Sequence, residues 1–149
     1  MVTTTQPQAM TLSCARYEAR INGTDAGEFP PIPTVDDGVT AKIASNVLKK
    51  AIGQVVFAAA TEESRPVLTG VKLELEGDQF TLAAADGFRL AVHKGKLEEA
   101  LAEATEVIIP ARTLNELNRL LGDQSEAVEL VLSPTRGQAL FRLNNVEVV

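Results

Sequence analysis

The feature that most constrains the fold of this chain is a repeat within it. The stretch AKIASNVLKKAI, near Ala41 to Ile52, recurs in pattern as VIIPARTLNELNRLL from Val107 to Leu121. Each copy reads as a short apolar strand, a turn and an amphipathic helix, because apolar residues recur at helical spacing in its second part. An offset of 66 positions brings Leu48 onto Leu114. A period this long predicts an internally duplicated domain.

The same offset aligns further apolar positions of the two copies. These pairs are Ile43 with Ile109, Ala51 with Leu117 and Val55 with Leu121. Because duplicated units pack around a pseudo-dyad, we expect the two helices to lie side by side as one surface. Ser45 is expected to cap the first helix at its N-terminus. The second helix is expected to bury an apolar stripe formed by Leu114, Leu117, Leu120 and Leu121.

Composition narrows the class of protein. The 149 residues fit one domain with an appendage, and 45% apolar residues support a core. A net charge of −6 argues against a protein that coats nucleic acid indiscriminately, but it leaves room for a local basic face. Cys14 is the only cysteine, so the chain can form no internal disulfide, which favours a reduced, cytoplasmic setting. No segment has the length of apolar sequence that predicts a membrane span.

Proline placement predicts how the chain is divided. Thr11 to Ile21 reads as one strand that ends at the Asn22-Gly23 turn. Pro30, Pro31 and Pro33 then forbid a helix and indicate an extended linker. We therefore expect residues 1–36 to be a strand plus linker and residues 37–149 to be a compact domain. The chain stops at NNVEVV, where a strand is just beginning, so this domain is expected to lack its final strand.

The order of elements predicts an α+β fold. Alternating runs follow each helix, VKLELEG and QFTLAAADG in the first half and AVELVLS and QALFRLN in the second. Such alternation is typical of antiparallel strands with one buried face. We expect internally duplicated strand-helix-strand units, with two helices packed on antiparallel sheets.

Several motifs in this order resemble a known family. The runs ESRPVLTGVKLELEGDQFTLAAADGFRLAV and VIIPARTLNELNRLLGD are similar to the middle domain of bacterial DNA polymerase III beta subunits, the replicative sliding clamps. The leading segment CARYEARINGTDAGEFPPIP resembles the last strand of the first domain in that family and its connection to the second. Together the resemblance covers the chain from about Thr11 onward.

The resemblance implies a DNA-clamp fold and a role without catalysis. In the family, three such domains form a subunit, and two subunits close head to tail into a ring around duplex DNA. The ring binds DNA without regard to sequence and tethers the DNA polymerase III catalytic subunit, the clamp loader and repair proteins through short peptide motifs. It needs no cofactor and no metal. This fragment, without the other domains, is expected to be a monomer.

The resemblance also implies two sets of binding residues. Long polar side chains on the helices suit loose contacts to DNA phosphates. The candidates for this DNA-facing set are Lys49, Lys50, Gln54, Arg112, Asn115 and Arg119. The candidates for the groove that accepts partner peptides are Arg65, Leu68, Ala85, Gly87, Phe88, Arg89 and Leu90.

Three positions depart from the family pattern. Pro66 and Val67 stand where some clamps carry aromatic residues that touch DNA, and Ala85 stands where a hydroxyl residue is common. The rest of the groove wall comes from segments that this chain does not contain. We therefore expect the fragment to bind clamp-binding peptides weakly or not at all.

Two other functions remain open from the sequence. A small hydrolase or isomerase could use Asp86, Arg89 and His93, although no nucleophile or oxyanion donor is evident. A structural interaction module without a DNA role is the other alternative. The charge of the surface across the two helices distinguishes the clamp from the structural module. A basic surface favours the clamp, and an acidic one favours the module.

Overall fold

The structure of the chain is a computed structural model, and it describes residues 2–6, 8–31, 34–35, 38–62, 64–133, 135 and 137–149. The chain divides into two compact units, residues 1–33 and residues 34–149. The predicted boundary, between residues 36 and 37, falls outside the described residues.

The first unit contains a three-stranded antiparallel sheet, β1 (Val2–Gln6), β2 (Ala9–Cys14) and β3 (Tyr17–Asn22). The prediction of one strand from Thr11 to Ile21 was therefore wrong. The chain reverses at Ala15, whose φ of 53° lies in the left-handed region, and Cys14 then pairs with Tyr17. In this sheet β2 lies between β1 and β3.

The second unit contains eight strands and two α-helices among the described residues. In chain order these are β4 (Val39–Ile43), α1 (Ser45–Val55), β5 (Gly70–Glu76), β6 (Gln79–Ala85), β7 (Leu90–Lys96), β8 (Thr105–Pro110), α2 (Ala111–Leu121), β9 (Val128–Ser133), β10 (Gln138–Arg142) and β11 (Glu147–Val148). Short 3-10 helices at Val56–Ala58 and Pro66–Thr69 lie between α1 and β5.

The two halves of this unit exchange their first strands. One four-stranded antiparallel sheet has the order β7-β6-β5-β8, and the other has the order β11-β10-β9-β4. Thus β4, from the first half, completes the sheet of the second half, and β8 does the reverse. The predicted α+β fold, with duplicated units and two helices on antiparallel sheets, is confirmed.

The 66-residue offset holds for the helices as well as for the sequence. Both α1 and α2 have 11 residues, and their first residues, Ser45 and Ala111, differ by that offset. The aligned apolar pairs are all buried in one core, between the helices and the sheets: Ile43 and Ile109, Leu48 and Leu114, Ala51 and Leu117, and Val55 and Leu121. The periodic pattern therefore located the core correctly.

Two details of the helices differ from the predictions. Ser45 is the first residue of α1 and not its cap, and its buried hydroxyl donates to the carbonyl of Gln124 at 2.6 Å. Leu120 is 42% exposed, because the turn of α2 that carries it leaves only Leu117 and Leu121 facing the core. Helical spacing alone does not fix the width of the buried stripe.

The segment NNVEVV contains β11, a strand of two residues, in which Val148 pairs with Phe141 and Glu147 pairs with Arg142 of β10. The outer face of the same sheet is covered in part by Val35, which packs with Val131 and Leu140.

Candidate nucleic-acid interface and peptide cleft

The first candidate site is the exposed surface of the two helices. α1 packs against α2, and each helix buries one stripe of side chains in the shared core. All six residues of the predicted DNA-facing set are exposed: Lys49, Lys50, Gln54, Arg112, Asn115 and Arg119. The two helices carry four basic side chains and one acidic side chain, Glu116, although the whole chain has a net charge of −6.

Two of the four basic side chains already have partners. The ammonium of Lys49 donates to the carbonyl of Gly122, just beyond the end of α2, and lies 3.6 Å from a carboxylate oxygen of Asp123. The guanidinium of Arg119 lies 2.8 Å from Glu116 on the same helix. These contacts neutralise part of the positive charge of the helix surface.

Lys50 and Arg112 are the other two basic residues of the helices. Both side chains are exposed, and neither makes an ion pair within the part of the chain that the structure describes. They are therefore the charges on this surface that an external phosphate can meet without competition.

Gln54 has a partner on the neighbouring sheet. Its Oε1 lies 2.8 Å from Nδ1 of His93 on β7, so the ring nitrogen donates to the amide oxygen. The proposed grouping of His93 with Asp86 and Arg89 is not what the hydrogen bonds show, because Asp86 and Arg89 pair with each other. The geometry thus gives no support to the hydrolase alternative.

The second candidate site is a cleft of about 440 Å³ at the opposite end of α1 from Ser45. One wall comes from the connection between α1 and β5, which the backbone hydrogen bond from Ala60 to Leu68 holds closed at 2.8 Å. The other wall comes from the turn between β6 and β7. The lining residues are Ala60, Thr61, Glu62, Ser64, Arg65, Leu68, Asp86 and Phe88.

The turn between β6 and β7 is organised by Asp86. Its Oδ1 accepts from the backbone N–H groups of Phe88 at 2.9 Å and Arg89 at 3.0 Å, and its Oδ2 accepts from Nε of Arg89 at 2.8 Å. These hydrogen bonds, that from Phe88 first, lower the pKa of the Asp86 carboxyl below its ordinary value of 3.8. The carboxylate is therefore the stable form near neutral pH.

Three of the seven predicted groove residues line the cleft: Arg65, Leu68 and Phe88. Gly87 adjoins it, since a Cβ at this position would lie 3.3 Å from Nη1 of Arg65. Ala85 and Leu90 lie outside the lining, at the ends of β6 and β7.

Arg89 is not among the residues that line the cleft. Besides its ion pair with Asp86, its guanidinium carbon lies 5.6 Å from the centre of the Phe57 ring. Arg65, by contrast, lines the cleft and has no ion pair in the described part of the chain.

Sequence reasoning did not include five residues of the cleft in the groove set: Ala60, Thr61, Glu62, Ser64 and Asp86. One signal could have found the first four. The connection after α1 is longer than the one after α2, and a segment present in only one of two repeats is a candidate for function. For Asp86, the signal was an aspartate directly before a glycine turn.

Other kinds of site find no support in the described residues. No group of three or more His, Cys, Asp or Glu side chains is arranged to hold a metal ion among them. Within the same residues, no helix has the length and apolar character of a membrane span.

Comparison with known proteins identifies relatives along nearly the whole chain. Residues 42–149 match the family model of the DNA polymerase III beta subunit, central domain. The beta sliding clamp of Bacillus subtilis (strain 168) is 38% identical over 131 residues, covering 88% of this chain and 34% of that protein. The beta sliding clamp of Staphylococcus epidermidis (strain ATCC 12228) is 35% identical over 146 residues. The chain spans about a third of the length of these curated relatives.

Solved structures agree in fold. The crystal structure of a DNA polymerase sliding clamp from Bacillus subtilis superposes with a TM-score of 0.84 at 34% identity, covering 98% of this chain and 38% of that one. The beta chain of DNA polymerase III from Streptococcus pneumoniae gives 0.80 at 31% identity, with the same coverage.

Proposed function

The chain belongs to the DNA polymerase III beta subunit family, and on that premise we propose that it forms part of a ring that encircles duplex DNA and acts as a processivity factor. The observation that carries this proposal is the positive surface of α1 and α2 in a chain of net negative charge. Such a surface attracts phosphates without reading bases, because its long side chains reach the backbone of DNA and not the base edges.

The proposed role is mechanical and not catalytic. A closed ring that cannot leave its DNA keeps a bound polymerase close to the primer end, which raises the effective concentration of the enzyme at its substrate. In this proposal the intact protein is a homodimeric ring in the cytoplasm, and the fragment alone is a monomer. Its partners are duplex DNA, the DNA polymerase III catalytic subunit, the clamp loader and repair proteins.

The cleft is proposed as the docking site for the peptide tails of these partners. Leu68 and Phe88 offer apolar walls, and Arg65 offers a cation that can bind a carbonyl or carboxylate group. Because the family groove takes further walls from segments absent here, we expect the fragment to bind such a peptide weakly or not at all. Titration of a labelled tail peptide against the fragment and an intact clamp tests this, and equal affinities would contradict it.

The DNA proposal can be tested by the salt dependence of binding. Fluorescence anisotropy with a labelled duplex gives the slope of log K against log salt concentration. Lys50→Met and Arg112→Met should each reduce the magnitude of this slope by about 0.9, the value for one phosphate contact. Two duplexes of unrelated sequence should bind the unmodified chain equally.

Lys94→Met is the matched control. Lys94 follows His93 on β7, and because His93 faces α1, Lys94 faces the other side of the sheet. This substitution removes the same charge and should leave the slope unchanged. A slope reduced equally by Lys94→Met would show that net charge, and not the helix surface, determines binding, and the proposal would then fail.

A further inference from the structure

Among the described residues, the Asp86 side chain makes its polar contacts within its own turn. Oδ1 accepts hydrogen bonds from two backbone N–H groups, and Oδ2 accepts one from the Arg89 guanidinium, so both oxygens have partners. The side chain is only 18% exposed, although it lines the cleft. A carboxylate with this set of partners has little capacity left for an arriving peptide, which indicates a role in shaping the cleft.

The turn that Asp86 organises carries an unsupported aromatic ring. Phe88 lines the cleft but is 100% exposed, so burial does not hold it in place. The preceding residue, Gly87, has a φ of 93°, a backbone angle that residues other than glycine rarely adopt. The hydrogen bond from the Phe88 N–H to Asp86 thus fixes the backbone from which the ring projects.

Arg89 extends this arrangement to the other wall. Its guanidinium is paired with Asp86 and lies over the ring of Phe57. Phe57 belongs to the 3-10 helix that follows α1, at the start of the connection that forms the opposite wall. Through Arg89, the carboxylate of Asp86 therefore links the turn to the 3-10 helix that follows α1.

We propose that Asp86 is a positioning residue of the cleft, which holds Phe88 at its edge and keeps Arg89 against Phe57. The proposal rests on the proposed peptide-binding function of the cleft. It predicts that Asp86 affects peptide affinity without touching the peptide. It also predicts that the ability to accept the two backbone N–H groups matters more than the negative charge.

The first test needs no peptide. Amide hydrogen exchange measured by NMR on the full 149-residue chain should show protection of Phe88 and Arg89 that falls about tenfold in Asp86→Ala. Asp86→Asn keeps an oxygen that accepts the same N–H groups, so it should retain most of the protection. Asp78→Ala is the control, because Asp78 lies in the turn between β5 and β6 and also pairs with a lysine of β7, Lys96. Unchanged exchange in Asp86→Ala would overturn the proposal.

The second test uses a synthetic peptide that copies the C-terminal tail of a DNA polymerase III catalytic subunit. Chemical shifts of the described cleft amides report its binding even when affinity is weak. If Asp86→Ala leaves the turn in its binding conformation about a tenth of the time, the apparent Kd should rise about tenfold. Asp86→Asn should stay near the unmodified chain, and so should Asp78→Ala.

The two failures can be told apart. If the peptide binds an intact clamp but shifts no cleft resonance of the unmodified chain, the missing groove walls account for the lost affinity, and the exchange experiment alone decides whether Asp86 holds the turn. If the peptide binds neither protein, the peptide-binding function fails. If the peptide binds the unmodified chain and Asp86→Ala with equal Kd, the peptide-binding function stands and the positioning role is overturned.

Discussion

The two halves of the second unit share a core but differ in how the chain leaves each helix. After α1, residues 56–69 form a long connection with two short 3-10 helices before β5 begins. After α2, the chain turns at once and needs only residues 122–127 to reach β9. The cleft lies in the half with the long connection. The elements common to both halves thus form the shared core, and the connection that differs between them forms a wall of the cleft.

Equivalent turns differ in the same way. The turn 86–89 is closed by a backbone hydrogen bond from Asp86 to Arg89, and the turn 143–146 by the same bond from Leu143 to Val146. Only the first of these turns has an aspartate at its first position. The carboxylate of Asp86 is therefore a feature of the half that contains the cleft and is not required by the fold that the two halves share.

The largest expected effect tests the shared core. Leu48→Ala and Leu114→Ala each remove a buried side chain at aligned positions. Each should lower the free energy of unfolding by about 2–5 kcal/mol, because the cavity left behind adds to the lost burial. Urea denaturation followed by circular dichroism measures both. Losses of unfolding free energy of similar size would indicate that the two aligned leucines are packed equally well. A several-fold difference between the two losses would contradict the equivalence of the two halves.

An intermediate effect is expected where α2 ends. Gly122 has φ 48° and ψ −128°, a conformation nearly confined to glycine, whereas α1 continues into Val56. Gly122→Ala should cost about 1–2 kcal/mol of unfolding free energy from backbone strain. Gly53→Ala is the matched control, because Gly53 lies inside α1 with open space around it. That change should raise the free energy by about 0.5–1 kcal/mol. Destabilisation of equal size in both variants would contradict this explanation.

The smallest expected effect is the pH dependence of the cleft turn. Hydrogen bonds lower the folded pKa of Asp86 below its ordinary value of 3.8, so the unfolded chain takes up this proton at a higher pH. The contribution of Asp86 to stability is therefore present above that value and is lost as pH falls through the folded pKa. Thermal unfolding between about pH 5 and pH 2 should show a smaller acid loss in Asp86→Asn. An identical acid loss in both proteins would exclude this contribution.

The core could be predicted from sequence because its signal is local and periodic. Apolar spacing identified α1, α2 and the aligned buried residues, and the family resemblance supplied Arg65, Leu68 and Phe88, which line the cleft. The strand break at Ala15 was missed because no Gly, Pro or Asn marks it. The bond of Lys49 to Gly122 and that of Ser45 to Gln124 join residues far apart in sequence, so periodicity could not reveal them.

The exchange of β4 and β8 has a consequence for how the second unit comes apart. The outer strand of each sheet comes from the opposite repeat. If one repeat unfolds, the sheet of the other repeat therefore loses an edge strand. A destabilising substitution in one repeat should then destabilise both, and the second unit should unfold in a single cooperative transition.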